Sequence, residues 1–373
     1  MTNLDSVDAV EPIRPNSEFA ETDSGALDSA VADLMRELEE NPPLKCPISY
    51  HWHGNEQLAS TASTCIQVQA ALMRRRHPWL TFDALDSVIF HHDYAQALLE
   101  VSERAGRPCE ATSGDSGVGL AMVVHLEDKC VVVLQEGLAL GLVAENDEDT
   151  RDLCIDTVMH ELCHVYDYER KRNLLSHEFL KRKLVGLEWH VFTAAEAAWS
   201  EYFANKYSNS DLSSTDMHPK YLAVVAPEVV QSVSDAIRAY RMHRRLDELL
   251  LLSEGKVRFL FQCFGYAAGR LDANETTLEV VAPESCDVLR EAGLFDIWET
   301  TFCELARLDS CRDSWTSFDV LKPIMNAVDA TFNKLGLFYT EVGEKVRVDV
   351  PLTPETTPTA LEALIGFGNK LRR

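Results

Sequence analysis

One short stretch constrains this chain more than any other: Val158-Met159-His160-Glu161-Leu162-Cys163-His164, an H-E-x-x-H. The run from Thr150 to Arg172 holds no Gly or Pro and predicts a single helix. Residues four apart share a helix face, so His160 and His164 can offer two imidazole nitrogens to one metal ion. Zn2+ is the expected cofactor, because it takes neutral imidazole and tolerates an open fourth position. Glu161 sits one step round, in reach of a proton from a metal-bound water. Ile155, Val158, Met159 and Leu162 make the helix apolar around the pair. Two imidazoles buried there without a partner would be costly, which favours a metal over a chance pairing. Acidic residues from Glu145 to Asp152 precede the helix and Arg170, Lys171 and Arg172 close it, as the helix dipole favours.

A zinc site open to chemistry needs a third protein ligand. The extended form H-E-x-x-H-x-x-G-x-x-H fails, since position 167 is Asp and position 170 is Arg. Asp167 lies on the same helix, three residues past His164, and brings in no second element. A Glu on the next helix remains. Trp189 to Ser208 predicts that helix and carries Glu196 and Glu201. Ala194, Ala197, Ala198, Glu201, Ala204 and Asn205 form a stripe of small residues at helical spacing, so this face is expected against the metal helix. Glu201 lies in the stripe and Glu196 well off it. The spacing therefore assigns Glu201 as third ligand, with Asn205 one turn on to accept a hydrogen bond from a ligating imidazole.

H-E-L-x-H followed by Glu201-x-x-Ala204-Asn205 resembles the gluzincin zinc metallopeptidases, and most of all the small ImmA/IrrE-like metallopeptidases. Thr157 to Asp167 also resembles a mitochondrial protease family that processes an ATP synthase subunit. The resemblance spans about residues 150–208. It implies a zincin-like fold, zinc on His160, His164 and Glu201, and hydrolysis of peptide bonds by a zinc-activated water with Glu161 as general base. Asn205 stands where thermolysin-like enzymes have Asp, so support from that position would be neutral. A non-catalytic zinc-containing protein-recognition module is the alternative, although such a module has no need of Glu161.

The net charge of −25 argues against duplex DNA or an anionic membrane as partner, and the resemblance implies a protein or peptide substrate. Ten cysteines scattered without a C-x-x-C pair suit reduced thiols in a cytoplasmic protein. No apolar leader segment and no long apolar run appears, so no membrane span is expected. The oligomeric state is not legible.

The expected class is α+β: a zincin-like core with a small, antiparallel-containing sheet and a metal-binding helix pair, then a mainly α-helical C-terminal half. The divisions read as 1–24, a disordered acidic tail; 25–80, N-terminal helices; 81–210, the catalytic region; and 220–373, the helical remainder. Within these, Ala26 to Glu40 and Gln57 to Arg76 predict helices, and the basic triplet Arg74 to Arg76 suits a helix C-terminus. His51 and His53 form an H-x-H that reads as a loop, with nothing nearby in sequence to complete a metal set. Val88 to Phe90 predicts a strand, Asp93 to Ala105 a helix, and Val118 to His125 with Cys130 to Gln135 a hairpin. A substrate peptide is expected to add to a free sheet edge. Lys181 to Lys183 reads as a solvated helix face, and His177 and His190 as structural. Further on, Pro227 to Leu252, Lys256 to Asp272, Pro283 to Gly293, Phe295 to Leu308 and Ser314 to Lys334 predict helices. A hairpin follows at 337–350, with a last helix from Thr359. Tyr207, His218, Tyr221 and His243 are candidates to stabilise a developing oxyanion.

Overall fold

A computed structural model describes residues 32–33, 35–36, 38–109, 113–114, 117–144, 146–180, 183–209, 217–343, 345–353 and 356–357, without the side chains of 113–114, 117–118 and 176–180. The acidic tail, the helix expected from Thr359 and the Lys181-Arg182 pair lie outside these residues. The chain forms two compact units, 1–42 and 43–373. In the first, the described residues 32–33, 35–36 and 38–40 are helical.

The second unit is mixed α and β, mainly helical, around one four-stranded sheet. Its strands are β1 (Ile48–His51), β2 (Leu85–His91), β5 (Ala121–His125) and β6 (Cys130–Gln135), in the order β1-β2-β6-β5. Two-residue strands β3 (Ser113–Gly114) and β4 (Gly117–Val118) pair separately. The first three sheet strands run parallel, and β5 joins the edge antiparallel to β6 through a hairpin. Cys130 to Leu134 of β6 is buried on both faces, as a central strand requires. β1 corrects the loop expected around His51. Four residues after a proline are too few to show alternation, and pairing with Val88 to His91 of β2 supplies what the local sequence lacks.

Helix α1 (Glu56–Arg76) is capped by Asn55, whose side chain accepts from the Leu58 N–H. Helix α2 (Tyr94–Ala105) is capped by Asp93 and ends at Gly106 with φ 65°, a left-handed conformation that suits glycine. It covers one sheet face, with Tyr94, Ala97, Leu98 and Val101 against Val124, Val131 and Val133. The opposite face, with Phe90, Val132 and Leu134, belongs to the main core. Short helix α3 (Glu136–Leu142) leads into α4 (Glu148–Leu180), which carries the H-E-x-x-H, and α5 (Leu187–Ser208) follows. α4 runs eight residues past the expected end at Arg172, because no Gly or Pro interrupts it before Gly186.

Two long helices follow, and their boundary differs from the expected one. α6 spans Met217–His243 with Pro227 inside it, and α7 spans Leu246–Ala273 straight through Gly255. The break falls at Arg244, whose φ is 61°. Burial of Leu222, Val225, Ala226 and Val229 around Pro227 outweighs the hydrogen bond the proline removes. Gly255 costs about 1 kcal/mol in a helix, which the buried Leu249, Val257 and Leu260 offset.

Helices α8 (Leu278–Val281), α9 (Pro283–Glu291), α10 (Phe295–Ser310) and α11 (Lys322–Lys334) complete the helical half. The first part of the helix expected from Ser314 is instead irregular, with 3-10 turns at Arg312–Ser314 and Phe318–Leu321. Strands β7 (Phe338–Val342) and β8 (Lys345–Asp349) form the expected hairpin. Within the second unit one apolar core runs from Leu44 to Tyr339, so α1, the sheet region and the helical half share it. All ten cysteines are free thiols. No described helix is long and apolar enough to cross a membrane.

Candidate metal centre

α4 and α5 bring three donor atoms to one point. His160 Nε2 and His164 Nε2 stand 2.9 Å apart, and Glu201 Oε2 lies 3.2 and 3.3 Å from them. Ligands at zinc distances of about 2.0–2.1 Å in a tetrahedron are about 3.3 Å from each other, so the triangle has the right size. The two rings meet edge to face at 87°. Glu201 Oε2 is buried and has no hydrogen-bond partner, an arrangement that a cation at the centre of the triangle would satisfy. Among the described residues, these three are the His, Cys, Asp or Glu donors that converge within 4.8 Å. The donor set fits zinc.

Charge within the site is consistent with that fit. Burial by itself would raise the Glu201 pKa, yet His164 and His160 beside it hold the carboxyl well below its usual range. Burial would likewise lower His164, but Glu201 prevails and pushes it up to about 9. A buried carboxylate between two imidazoles thus draws positive charge to the centre. Glu161 is buried beside them. Burial raises its pKa, opposed by His164 and His160, while Glu201 adds to the rise and the Val123 backbone amide of β5 favours the ionised form.

Each histidine ring is also met at its other nitrogen. Ser200 Oγ lies 3.0 Å from His164 Nδ1 and can accept its proton. Asn205 differs from the role expected of it: its Nδ2 donates to the Glu201 carbonyl at 3.0 Å and sits 3.5 Å from His160 Nδ1. Glu196, the other carboxylate weighed, points elsewhere and accepts from Lys171 Nζ at 2.5 Å. Lys171 in turn pairs with Asp167 at 2.9 Å, and Asp167 is buried with Arg170 at 2.8 Å and the Trp199 indole N–H at 3.0 Å.

The small-residue stripe of α5 packs against a helix the sequence did not connect with it. Gly265 and Gly269 of α7 lie against Ala198 and Tyr202, with no room for a Cβ at either glycine. A Cβ at Gly265 would also come within 3.0 Å of Glu201 Cβ, and one at Gly269 within 2.9 Å of Asn205 Cβ. The small residues of α5 therefore admit α7, and α4 meets Glu201 from the adjoining side. This close approach sets further side chains around the site. Gln262 Nε2 donates to Glu201 Oε1 at 3.1 Å. Burial and the Glu201 charge push the nearby Tyr266 phenol well up. Arg270, a further turn along, pairs with the buried Asp156 at 3.2 Å. The sequence signal was Gly265-x-x-x-Gly269, a small-residue repeat on a helix with no chemistry of its own.

The oxyanion candidates separate clearly. His218 stacks on Tyr266 at 5.1 Å, and burial, with His160 and Arg270 nearby, pushes it down to about 4. Tyr207 donates to both oxygens of Asp309 at 2.8 Å and is committed there. Tyr221 has Glu228 and Lys256 as charged neighbours, and His243 lies 3.7 Å from Glu248. His190 bonds Glu254 at 2.7 Å, a structural role. His125, at the end of β5, escaped notice in the sequence. It stacks on Tyr168 at 4.2 Å, and burial, with Lys171 and Arg107, pushes it down to about 3.

Compared with family models, curated proteins and solved structures, the chain matches none.

Proposed function

We propose that this protein is a zinc-dependent metallopeptidase with a zincin-like core, acting on a protein or peptide substrate. The observation that carries the reading is the triangle of His160 Nε2, His164 Nε2 and Glu201 Oε2, with Glu161 buried alongside. A purely structural site has no need of that second carboxyl group.

His160, His164 and Glu201 would hold the zinc, and a bound zinc supplies Lewis-acid polarisation of a carbonyl and a lowered water pKa. Glu161 takes a proton from the attacking water and returns it to the leaving amine, a role its apolar, buried setting favours. Gln262 fixes the orientation of Glu201, and Ser200 that of His164. Substrate has a natural place beside Glu161. The Gln135 N–H donates to Leu120 C=O, and the Leu126 N–H to Lys129 C=O, so alternate residues of β5 face β6. Ala121, Val123 and His125 therefore turn their backbone groups away from β6; the Val123 amide meets Glu161, and an extended peptide can add along this edge through Ala121 and His125.

The test is cleavage of a proteome-derived peptide library by wild-type protein and by Glu161→Gln, with zinc content measured on both. The expected result is zinc in both and a turnover lower in the variant by roughly 100- to 10,000-fold. Equal cutting by the variant refutes the mechanism. Zinc without any cutting by wild-type protein leaves the recognition module instead.

A further inference from the structure

Four of the twelve histidines gather at the C-terminal ends of β1 and β2, on the opposite side of the sheet order from β5. They are His51 and His53, from the H-x-H, and the adjacent His91 and His92. The His51 and His91 rings stack at 5.2 Å, those of His91 and His92 at 4.8 Å, and those of His53 and His92 meet edge to face at 5.0 Å. Nothing in the linear sequence joins the two pairs; the parallel register His51↔His91 does.

The hydrogen bonds decide which ring nitrogens are free. His53 Nδ1 lies 3.1 Å from Glu136 Oε1, and the His53 backbone N–H donates to Oε2 of the same carboxylate at 3.0 Å. The carboxylate accepts both bonds and so fixes the proton of His53 on Nδ1. His92 Nδ1 lies 2.8 Å from the His51 carbonyl oxygen, which can only accept, so its proton is on Nδ1 too. Both rings therefore present a bare Nε2. A ligating imidazole anchored through Nδ1–H by a carboxylate or a carbonyl is the usual arrangement at zinc. Two imidazoles on one tetrahedral zinc have ring centres roughly 5 Å apart. His160 and His164 stand at 4.6 Å and 87°, and His53 and His92 at 5.0 Å and 67°. His91 is committed differently, since its Nδ1 accepts from the Asp93 N–H at 2.9 Å. His51 is exposed, and an exposed ring reorients on the nanosecond scale, so it can swing in as a third donor.

We infer that His53 and His92, with His51 as third donor and Glu136 behind His53, form a second, solvent-facing site for a zinc-class divalent cation. The site is weaker than a buried three-ligand centre, because the exposed rings lose freedom on binding and water supplies the remaining ligands. It does not depend on the metal at Glu201 or on any peptidase activity.

The test is titration of the metal-free full chain with Zn2+ by calorimetry, backed by Cu2+ electron paramagnetic resonance on His160→Ala/His164→Ala protein. Wild-type protein is expected to show two binding events. His160→Ala/His164→Ala should lose only the tighter one, and its Cu2+ spectrum should carry nitrogen hyperfine structure. His53→Gln/His92→Gln should lose only the weaker one, with an unchanged melting temperature. Glu136→Gln should weaken that event by roughly 10- to 100-fold, as removal of an anchoring carboxylate does elsewhere. Absence of any binding event in His160→Ala/His164→Ala protein overturns the inference, and so does a weaker event that survives in His53→Gln/His92→Gln.

Discussion

Gly265 of α7 lies directly on the Ala198 carbonyl of α5, so closely that a single added methyl group would overlap the oxygen. One turn away on the same helices, Gln262 holds the Glu201 carboxylate. The contact that packs the helical half onto α5 is thus also the contact that aims the third donor of the candidate metal centre.

Gly265→Ala is therefore expected to act twice. Overpacking of this kind costs about 1–3 kcal/mol, which thermal or denaturant unfolding would read. Because α7 must retreat, Gln262 should also lose Glu201, so zinc affinity should fall in protein that is still folded. Gly255→Ala on the same helix is the control: nothing lies within 4 Å of its added Cβ, and it should be neutral or stabilising. Equal effects of the two substitutions would rule out the close approach.

The three acidic and amide positions of α5 should separate in a chelator competition. Glu201→Ala removes a ligand and should abolish tight zinc binding. Asn205→Ala should weaken it modestly, because the side chain bonds the Glu201 carbonyl rather than a firmly held imidazole. Glu196→Ala should leave zinc affinity nearly unchanged and lower stability instead, since it strips one partner from the buried Lys171. Loss of metal in Glu196→Ala would mean that α5 is turned the other way.

Gln262→Leu should lower zinc affinity by roughly 10- to 100-fold, the usual loss when the partner of a ligating group is removed. Tyr266→Phe keeps the ring against His218 and removes the hydroxyl near Glu201. It should change turnover more than metal content. An unaltered chelator curve for Gln262→Leu would show that Glu201 needs no support from α7.

Asp167 gives a pH signature. Burial would raise its pKa, but Lys171 and Arg170 prevail and hold it down to about 2, from an ordinary value of 3.8. A group depressed on folding stabilises the protein above its unfolded pKa, and loses that contribution as pH falls through the folded one. The window is therefore about pH 4 down to about pH 2, with a contribution on the order of 2 kcal/mol. Asp167→Asn should be destabilised by roughly 3–5 kcal/mol at neutral pH, because it leaves two buried cations short of a partner. The gap to wild-type protein should narrow below about pH 3. A gap that stays constant with pH would show that Asp167 is not the group titrating there.

Local periodicity made part of this legible and long-range packing hid the rest. His160, Glu161 and His164 share one turn of one helix, so their arrangement needs nothing beyond the spacing of four. Glu201 was reached through its small-residue stripe, and the structure sets it beside both imidazoles, although most of that stripe serves α7. Gln262, Tyr266 and His218 come to the site only because α6 and α7 fold back over α5, at separations no periodicity spans. β1 stayed hidden because pairing makes it a strand, and with it the meeting of His51 and His53 with His91 and His92. Pro227 and Gly255 misled for the opposite reason: both are helix breakers by local preference, and buried neighbours overrule them.

Because Gln262 and Gly265 belong to one rigid helix, occupancy of the metal centre is linked to the cohesion of the helical half. Any cation that fastens Glu201 also fastens α7, and through α7 the α6 and α10 helices packed on it. Stripping the metal should therefore be felt at a distance. Amide protons of Leu260, Phe261 and Phe264, which touch no ligand, should exchange faster in chelator-treated protein, while those of α2, on the far face of the sheet, should keep their rates.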